Sequence, residues 1–208
     1  MSSRDDILAQ VRRNQPPPRP PPPVPDFSSG GGSKIDDFKA ALARMGGKIA
    51  DAPADGDLAA LVHRLFPGAR IVCSATPEIS GSRALSDFKT PAELDDVDVA
   101  VVRAAFGVAE TGSVWLTEAE LEVNALAFLA QHLVVLLDPA RIVGNMHDAY
   151  RDRVRFDARY GVFMTGPSAT ADIEGVLIHG AQGIRSLTAV LVAGGAPDRA
   201  AKRGGSSR

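Results

Sequence analysis

The sequence predicts an α/β fold: an open, largely parallel sheet with helices on both faces. Three observations carry that expectation. From Ser33 onward, stretches with apolar residues at helical spacing alternate with short β-prone runs. His132-Leu-Val-Val-Leu-Leu137 is continuously apolar, the pattern of a strand covered on both sides. Val97–Phe106 is a long β-prone run, and Thr188–Val192 reads as a further buried strand.

The chain before Ser33 is of another kind. Residues 1–33 hold eight of the chain's 15 prolines and the Gly30-Gly-Gly32 run, with little apolar content. Ser3–Asn14 reads as a short helix capped by Ser3, with Asp5 and Asp6 at its positive end and Arg12 and Arg13 in its last turn. Its apolar stripe is only Ile7, Leu8 and Val11, so it is read as a solvated arm or as a docking helix for a partner. Pro16–Pro25 is expected to be extended polyproline, followed by a flexible Gly/Ser stretch. Residues 1–33 therefore read as an arm and linker, 34–193 as one domain, and 194–208 as a flexible tail whose last ten residues carry four basic groups.

Within the domain, Ser33 caps a helix with Ile35, Phe38, Leu42 and Met45 on one face, closed by Gly46-Gly47. Lys48–Ala50 is a short strand. Asp55 opens a helix with Leu58, Leu61, Val62 and Leu65. Ala69–Cys73 is a strand, and Thr90-Pro91 starts a brief helix. Ser113–Leu116 is a strand, Glu118–Leu129 a helix, Asp138-Pro139 the cap of a helix reaching about Arg153, and Gly161–Met164 a buried strand.

Composition excludes several functions. Lys plus Arg is 23 and Asp plus Glu is 25, a net charge of −2, which gives no electrostatic reason for nucleic-acid binding. No segment offers the ~18–20 apolar residues of a membrane span, and the start has no signal-peptide pattern, so a cytoplasmic location is the expectation. One cysteine, Cys73, cannot build a disulfide framework or ligate an iron–sulfur cluster. There is no HExxH or His/Cys pairing, no P-loop, no dinucleotide fingerprint and no nucleophile elbow, so no metal is expected.

Three polar clusters remain, each next to a predicted strand. In Gly107-Val-Ala-Glu-Thr-Gly-Ser113, Glu110 is a candidate nucleophile or general base. The backbone of Thr111, Gly112 and Ser113 offers an anion nest. The plain alternative is a tight hairpin. In the segment after strand 161–164, Gly166, Ser168, Thr170, Asp172 and Glu174 offer turns and oxygen-bearing groups for a ligand, or a capped turn into a helix. In His179-Gly-Ala-Gln-Gly-Ile-Arg185, Gly180 and Gly183 bracket a loop in which His179 or Arg185 can meet an anion, or serve structure alone. Parallel strands carry ligands at their carboxyl ends. On that rule Glu110, Thr111, Ser168, Asp172 and Arg185 are expected to share one crevice, with Arg185 as its cation.

Those clusters also carry a resemblance. Val108-Ala-Glu-Thr-Gly-Ser113, Thr165-Gly-Pro-Ser-Ala-Thr-Ala-Asp-Ile-Glu174 and Gly180…Gly183 ahead of a β-rich Leu187–Val192 resemble the LUD domain of the lactate utilization protein C family, LutC/YkgG. The resemblance runs over about residues 34–193. It implies a NagB/RpiA/CoA-transferase-like fold. It also implies a part in oxidising L-lactate to pyruvate beside separate iron–sulfur subunits, with no cofactor in this chain. Two departures stand out: Ala169 where the family usually has arginine, and Gln182-Gly183-Ile184 where it often has His-Gly-Pro. The rival readings are a stand-alone enzyme of that fold using Glu110, and a degenerate scaffold.

Overall fold

The computed structural model describes residues 2–23, 25, 32–151, 158–167, 169–170, 178–179 and 183–194. At its centre lies a five-stranded, wholly parallel sheet in the order β1 (Lys48–Asp51), β11 (Ser186–Leu191), β6 (His132–Leu137), β3 (Val99–Arg103), β2 (Val72–Ser74). The apolar-rich runs became β3, β6 and β11, strands with both faces covered. Their side chains alternate between two cores. Val99, Val101, Val134, Leu136 and Val190 pack against Leu58, Leu61 and Val62 of α3 (Leu58–Leu65). Ala100, Val102, Leu133, Val135, Leu137, Leu187 and Ala189 face the other way.

The second face meets α2 (Lys34–Arg44), the short helices α4 (Glu118–Leu121) and α5 (Leu126–Leu129), and a second sheet. That sheet, in the order β7 (Ile142–Val143), β4 (Phe106–Val108), β5 (Ser113–Thr117), β8 (Gly161–Met164), is largely antiparallel. It was not anticipated. Its inner face adds Val114 and Leu116 to the main core. Its outer face sets Phe106, Trp115 and Phe163 together, with Trp115 and Phe163 at 4.5 Å, under Ala149 of α6 (Met146–Arg151).

Two predicted helices are replaced by other structure. Asp138 does cap a turn, accepting from the Ala140 N–H at 3.0 Å, but Pro139–Arg141 is a single 3₁₀ turn. The β-branched Ile142 and Val143 then pair with Gly107 and Val108, and Asn145 caps a fresh helix through the Asp148 N–H at 2.9 Å. The helix expected over Glu118–Leu129 breaks at Glu122, which has φ +57°, and resumes at Leu126. Thr90-Pro91 opens a 3₁₀ helix, Pro91–Asp96. Asp57, not Asp55, caps α3.

Helix α2 reaches the second sheet through an unusually close approach. Gly112, at the tip of the β4–β5 hairpin, has φ +64°, and a Cβ there would lie 2.2 Å from the Leu42 nitrogen. Gly166, at φ +62°, would put its Cβ 2.0 Å from the Met45 carbonyl oxygen. Glycine is required at both for conformation and for space. Phe38 and Leu42 of α2 are fully buried as a result.

The N-terminal helix α1 (Ser3–Arg13) starts one residue earlier than expected. Ser2 is its cap, in a reciprocal capping box with Asp5. Every described residue of the arm up to Pro25 is exposed, Ile7 by 59%. Among the described residues no helix is long and apolar enough to cross a membrane. Residues 195–208, which hold most of the predicted basic tail, lie outside the described residues.

Two outcomes follow from this packing. Removal of residues 1–32 should leave the thermal midpoint within a few degrees, because α1 buries nothing; a collapse of soluble expression would show that the arm belongs to the fold. Gly112→Ala should cost about 2–4 kcal/mol in urea unfolding, combining a left-handed alanine with a steric overlap on α2.

Candidate functional site

The first cluster forms the tip of the β4–β5 hairpin. Ala109 and Glu110 donate their backbone N–H groups to Val143 and Gly144 at 2.9 and 3.0 Å, which fastens the tip to the segment leading into α6. The Glu110 carboxylate accepts the Met146 N–H at 3.0 Å, so it holds the start of that helix. Ser113 is buried in the ladder opposite Val108. The Thr111 hydroxyl is buried and has no hydrogen-bond partner among the described residues. The Thr111 and Gly112 carbonyls accept from the Thr165 hydroxyl at 3.3 and 3.1 Å, joining the first cluster to the start of the second.

Two cavities flank α2 beside this junction. The smaller, about 270 Å³, lies between α2 and the hairpin and is lined by Asp37, Ala40, Arg44, Glu110 and Asn145 among others. The larger, about 570 Å³, lies at the C-terminal end of α2. The second and third clusters supply part of its wall: Thr165, Gly166, Pro167, Ala169, Gly183 and Ile184. Arg44 lines both cavities. It is exposed, and its guanidinium makes no hydrogen bond or ion pair with the described residues. The smaller cavity sets two carboxylates, Asp37 and Glu110, against that one cation. In the larger, Arg44 is the sole charged side chain among the described lining residues.

Sequence reasoning missed Arg44. It reads as an ordinary cation in the last turn of a helix, where it favours the negative end of the dipole. Only the docking of α2 against the hairpin shows what it faces.

Arg185 does not join this site, contrary to the expected shared crevice. It precedes β11 and so sits at the amino edge of the parallel sheet, its N–H donated to the Gln131 carbonyl at 2.7 Å. It lines neither cavity. The expectation failed because the hairpin and the loop after β8 belong to the second, largely antiparallel sheet, which the carboxyl-edge rule does not govern, whereas Arg185 is tied to the parallel sheet. Arg185 instead acts on His132, the first residue of β6. Burial pushes the His132 pKa below its ordinary 6.5, and the Arg185 charge lowers it further. The imidazole Nδ1 lies 2.8 Å from the Ser186 hydroxyl, and the ring stacks on Phe66 at 4.7 Å.

The carboxyl edge is occupied otherwise. Arg103, at the end of β3, is buried, pairs with Glu78 and donates to the Gly194 carbonyl at 3.2 Å. Cys73 is buried in the core, and burial raises its thiol pKa. Thr170 and His179 take part in a two-stranded ladder, β9 (Ala169–Thr170) with β10 (Ile178–His179). Ser168, Asp172, Glu174 and Gly180 lie outside the described residues. Among the described residues no group of three or more His, Cys, Asp or Glu is placed to hold a metal ion.

Comparison with known proteins places this architecture. The family model of the LUD domain matches residues 87–192, just over half of the 208-residue chain. The chain belongs to the LUD domain family. A crystal structure of a DUF162 family protein from Deinococcus radiodurans superposes with a TM-score of 0.61 at 18% identity, covering 77% of this chain and 96% of that one, and so shares the fold. No curated protein matches the chain. The matched region of the LUD chain contains the hairpin and both later clusters, whereas Arg44 lies ahead of it and joins the site through the packing of α2.

The placement of Arg185 is checked by the titration of His132. Arg185→Ala should raise the His132 pKa toward 6.5, read by NMR. Because the folded-state value is depressed, the unfolded chain binds more protons between the folded value and 6.5. The stability contributed by neutral His132 is therefore complete above pH 6.5 and is lost as the pH falls through that window. Arg185→Ala should make that loss smaller, and an unchanged His132 titration would contradict the contact.

Proposed function

We propose that this LUD chain is a LutC-like subunit of a cytoplasmic system that oxidises L-lactate to pyruvate, holding a small carboxylate against Arg44. Membership of the LUD domain family supports the role. The single observation that carries the ligand is the unpaired Arg44 guanidinium, set at cavities walled by the three polar clusters. A guanidinium offers a planar fork of N–H donors that fits a carboxylate.

In this reading the electrons of lactate oxidation pass to iron–sulfur centres in separate subunits. A chain with one cysteine, buried in the core, has no thiolate set with which to ligate a cluster. The contribution of the LUD chain is to bind and orient. Glu110 is a positioning residue: its carboxylate is committed to the Met146 N–H, which keeps the hairpin tip and α6 in register beside Arg44. That commitment favours this reading over a stand-alone enzyme with Glu110 as nucleophile.

Reconstitution tests it. The LUD chain, the iron–sulfur proteins and an electron-accepting dye should together show lactate-dependent reduction, and the LUD chain alone should show none. Arg44→Ala should raise the half-saturating lactate concentration about tenfold, the low end for a charge-assisted hydrogen bond at a water-accessible guanidinium. Equal lactate oxidation by the partners without this chain would overturn the proposal.

Glu110→Ala should leave the Met146 N–H without its acceptor and cost roughly 1 kcal/mol of stability, while Glu110→Gln, which keeps a side-chain oxygen, should cost less. Loss of lactate oxidation in Glu110→Gln at unchanged stability would instead give Glu110 a chemical role.

A further inference from the structure

The larger cavity beside Arg44 is out of proportion to a three-carbon acid. At about 570 Å³ it falls inside the ~300–1,000 Å³ range of pockets that enclose drug-sized ligands. Its walls are mainly apolar: Phe128 at the end of α5, Val162 and Met164 of β8, and Ile184 ahead of β11. Phe128 is 39% exposed there, so apolar surface stands open to solvent with nothing over it among the described residues. The described lining holds one charge, Arg44, and no carboxylate that would repel an anion.

An apolar cavity with a single unpaired guanidinium complements a single carboxylate on an apolar body. The head meets the N–H fork while the body leaves water along the walls. A ligand with two anionic heads finds no second cation in the described lining, and a neutral apolar ligand leaves Arg44 unused. We infer that the LUD chain binds an aliphatic or aromatic monocarboxylic acid larger than lactate, with its carboxylate on Arg44 and its body between Phe128 and β8. This rests on the reading of Arg44 as the anion-holding group and adds the class of acid.

The test is a chain-length series of acetate, butanoate, hexanoate and octanoate, with affinity and stoichiometry measured by NMR titration and calorimetry on the full chain. Affinity should rise about two- to fourfold per methylene, the upper figure being the ~0.8 kcal/mol of a fully buried CH₂, at one acid per chain. Arg44→Ala should weaken every acid by a similar factor. Ala43→Phe, which fills the cavity from exposed α2 surface, should remove the gain with length and leave acetate unchanged. A flat series with Arg44-dependent acetate binding overturns the larger acid and leaves the small-anion reading standing. A rising series indifferent to Arg44→Ala overturns the assignment of the head group. Absence of Arg44-dependent binding for any of the acids overturns both readings.

Discussion

The close seat of α2 on the second sheet is the contact on which the site depends. Gly112 and Gly166 let the hairpin tip and the end of β8 approach the α2 backbone to distances that no side chain permits. That approach buries Phe38 and Leu42, and it brings the C-terminal turn of α2 between two loops distant in sequence. The Thr165 hydroxyl, bonded to the Thr111 and Gly112 carbonyls, fixes those loops to one another. Arg44 is thereby held at a junction rather than on an open helix surface. A displacement of α2 would alter both cavities together.

The two cavities differ in sign as well as size. Asp37 and Glu110 crowd the smaller one, and Glu110 is already engaged in holding α6. Among the described residues that line the larger, Arg44 is the only charged one. An anion is therefore favoured on the apolar side of Arg44, where no carboxylate among the described lining residues opposes it and where lower polarity strengthens the attraction. At the far edge of the parallel sheet, Arg103 and Glu78 satisfy one another, and the same arginine holds the Gly194 carbonyl after β11. Breaking such a pair by removing one partner leaves a charge short of solvent, so it secures the chain after β2 and β11 rather than offering a free cation.

The periodic parts of the fold were legible in the sequence. The apolar run 132–137 can satisfy its side chains only between two covered faces, and it became the central strand with both faces buried. Ser33 as a cap, with Phe38 and Leu42 at helical spacing, defined α2 because both signals are local. Of the second sheet, the strands starting at Ser113 and Gly161 were legible, but not their assembly into a sheet of its own. Its strands are two to five residues long and pair across gaps from Gly107 to Ile142 and from Val114 to Met164. The two- and three-residue strands β7 and β4 carry little pattern of their own, and the β-branched Ile142-Val143 chose a neighbouring strand over the helix that Asp138-Pro139 announced.

The candidate site divides in the same way. The sequence by itself determined that polar, glycine-bearing segments lie next to strands, because strand ends and turns are written in local residue types. It determined too that one cysteine cannot serve a cluster. Which segments meet, and which cation they meet around, was decided by the tertiary structure alone. Arg185 looked like that cation from its neighbours in sequence but lies at the amino edge, and Arg44 looked like a helix-end charge but lines both cavities. The reason is physical. Local signals set the conformation of a segment, whereas the edge of the sheet it reaches and the helix laid against it depend on strand order and on two glycines that allow the backbones to touch.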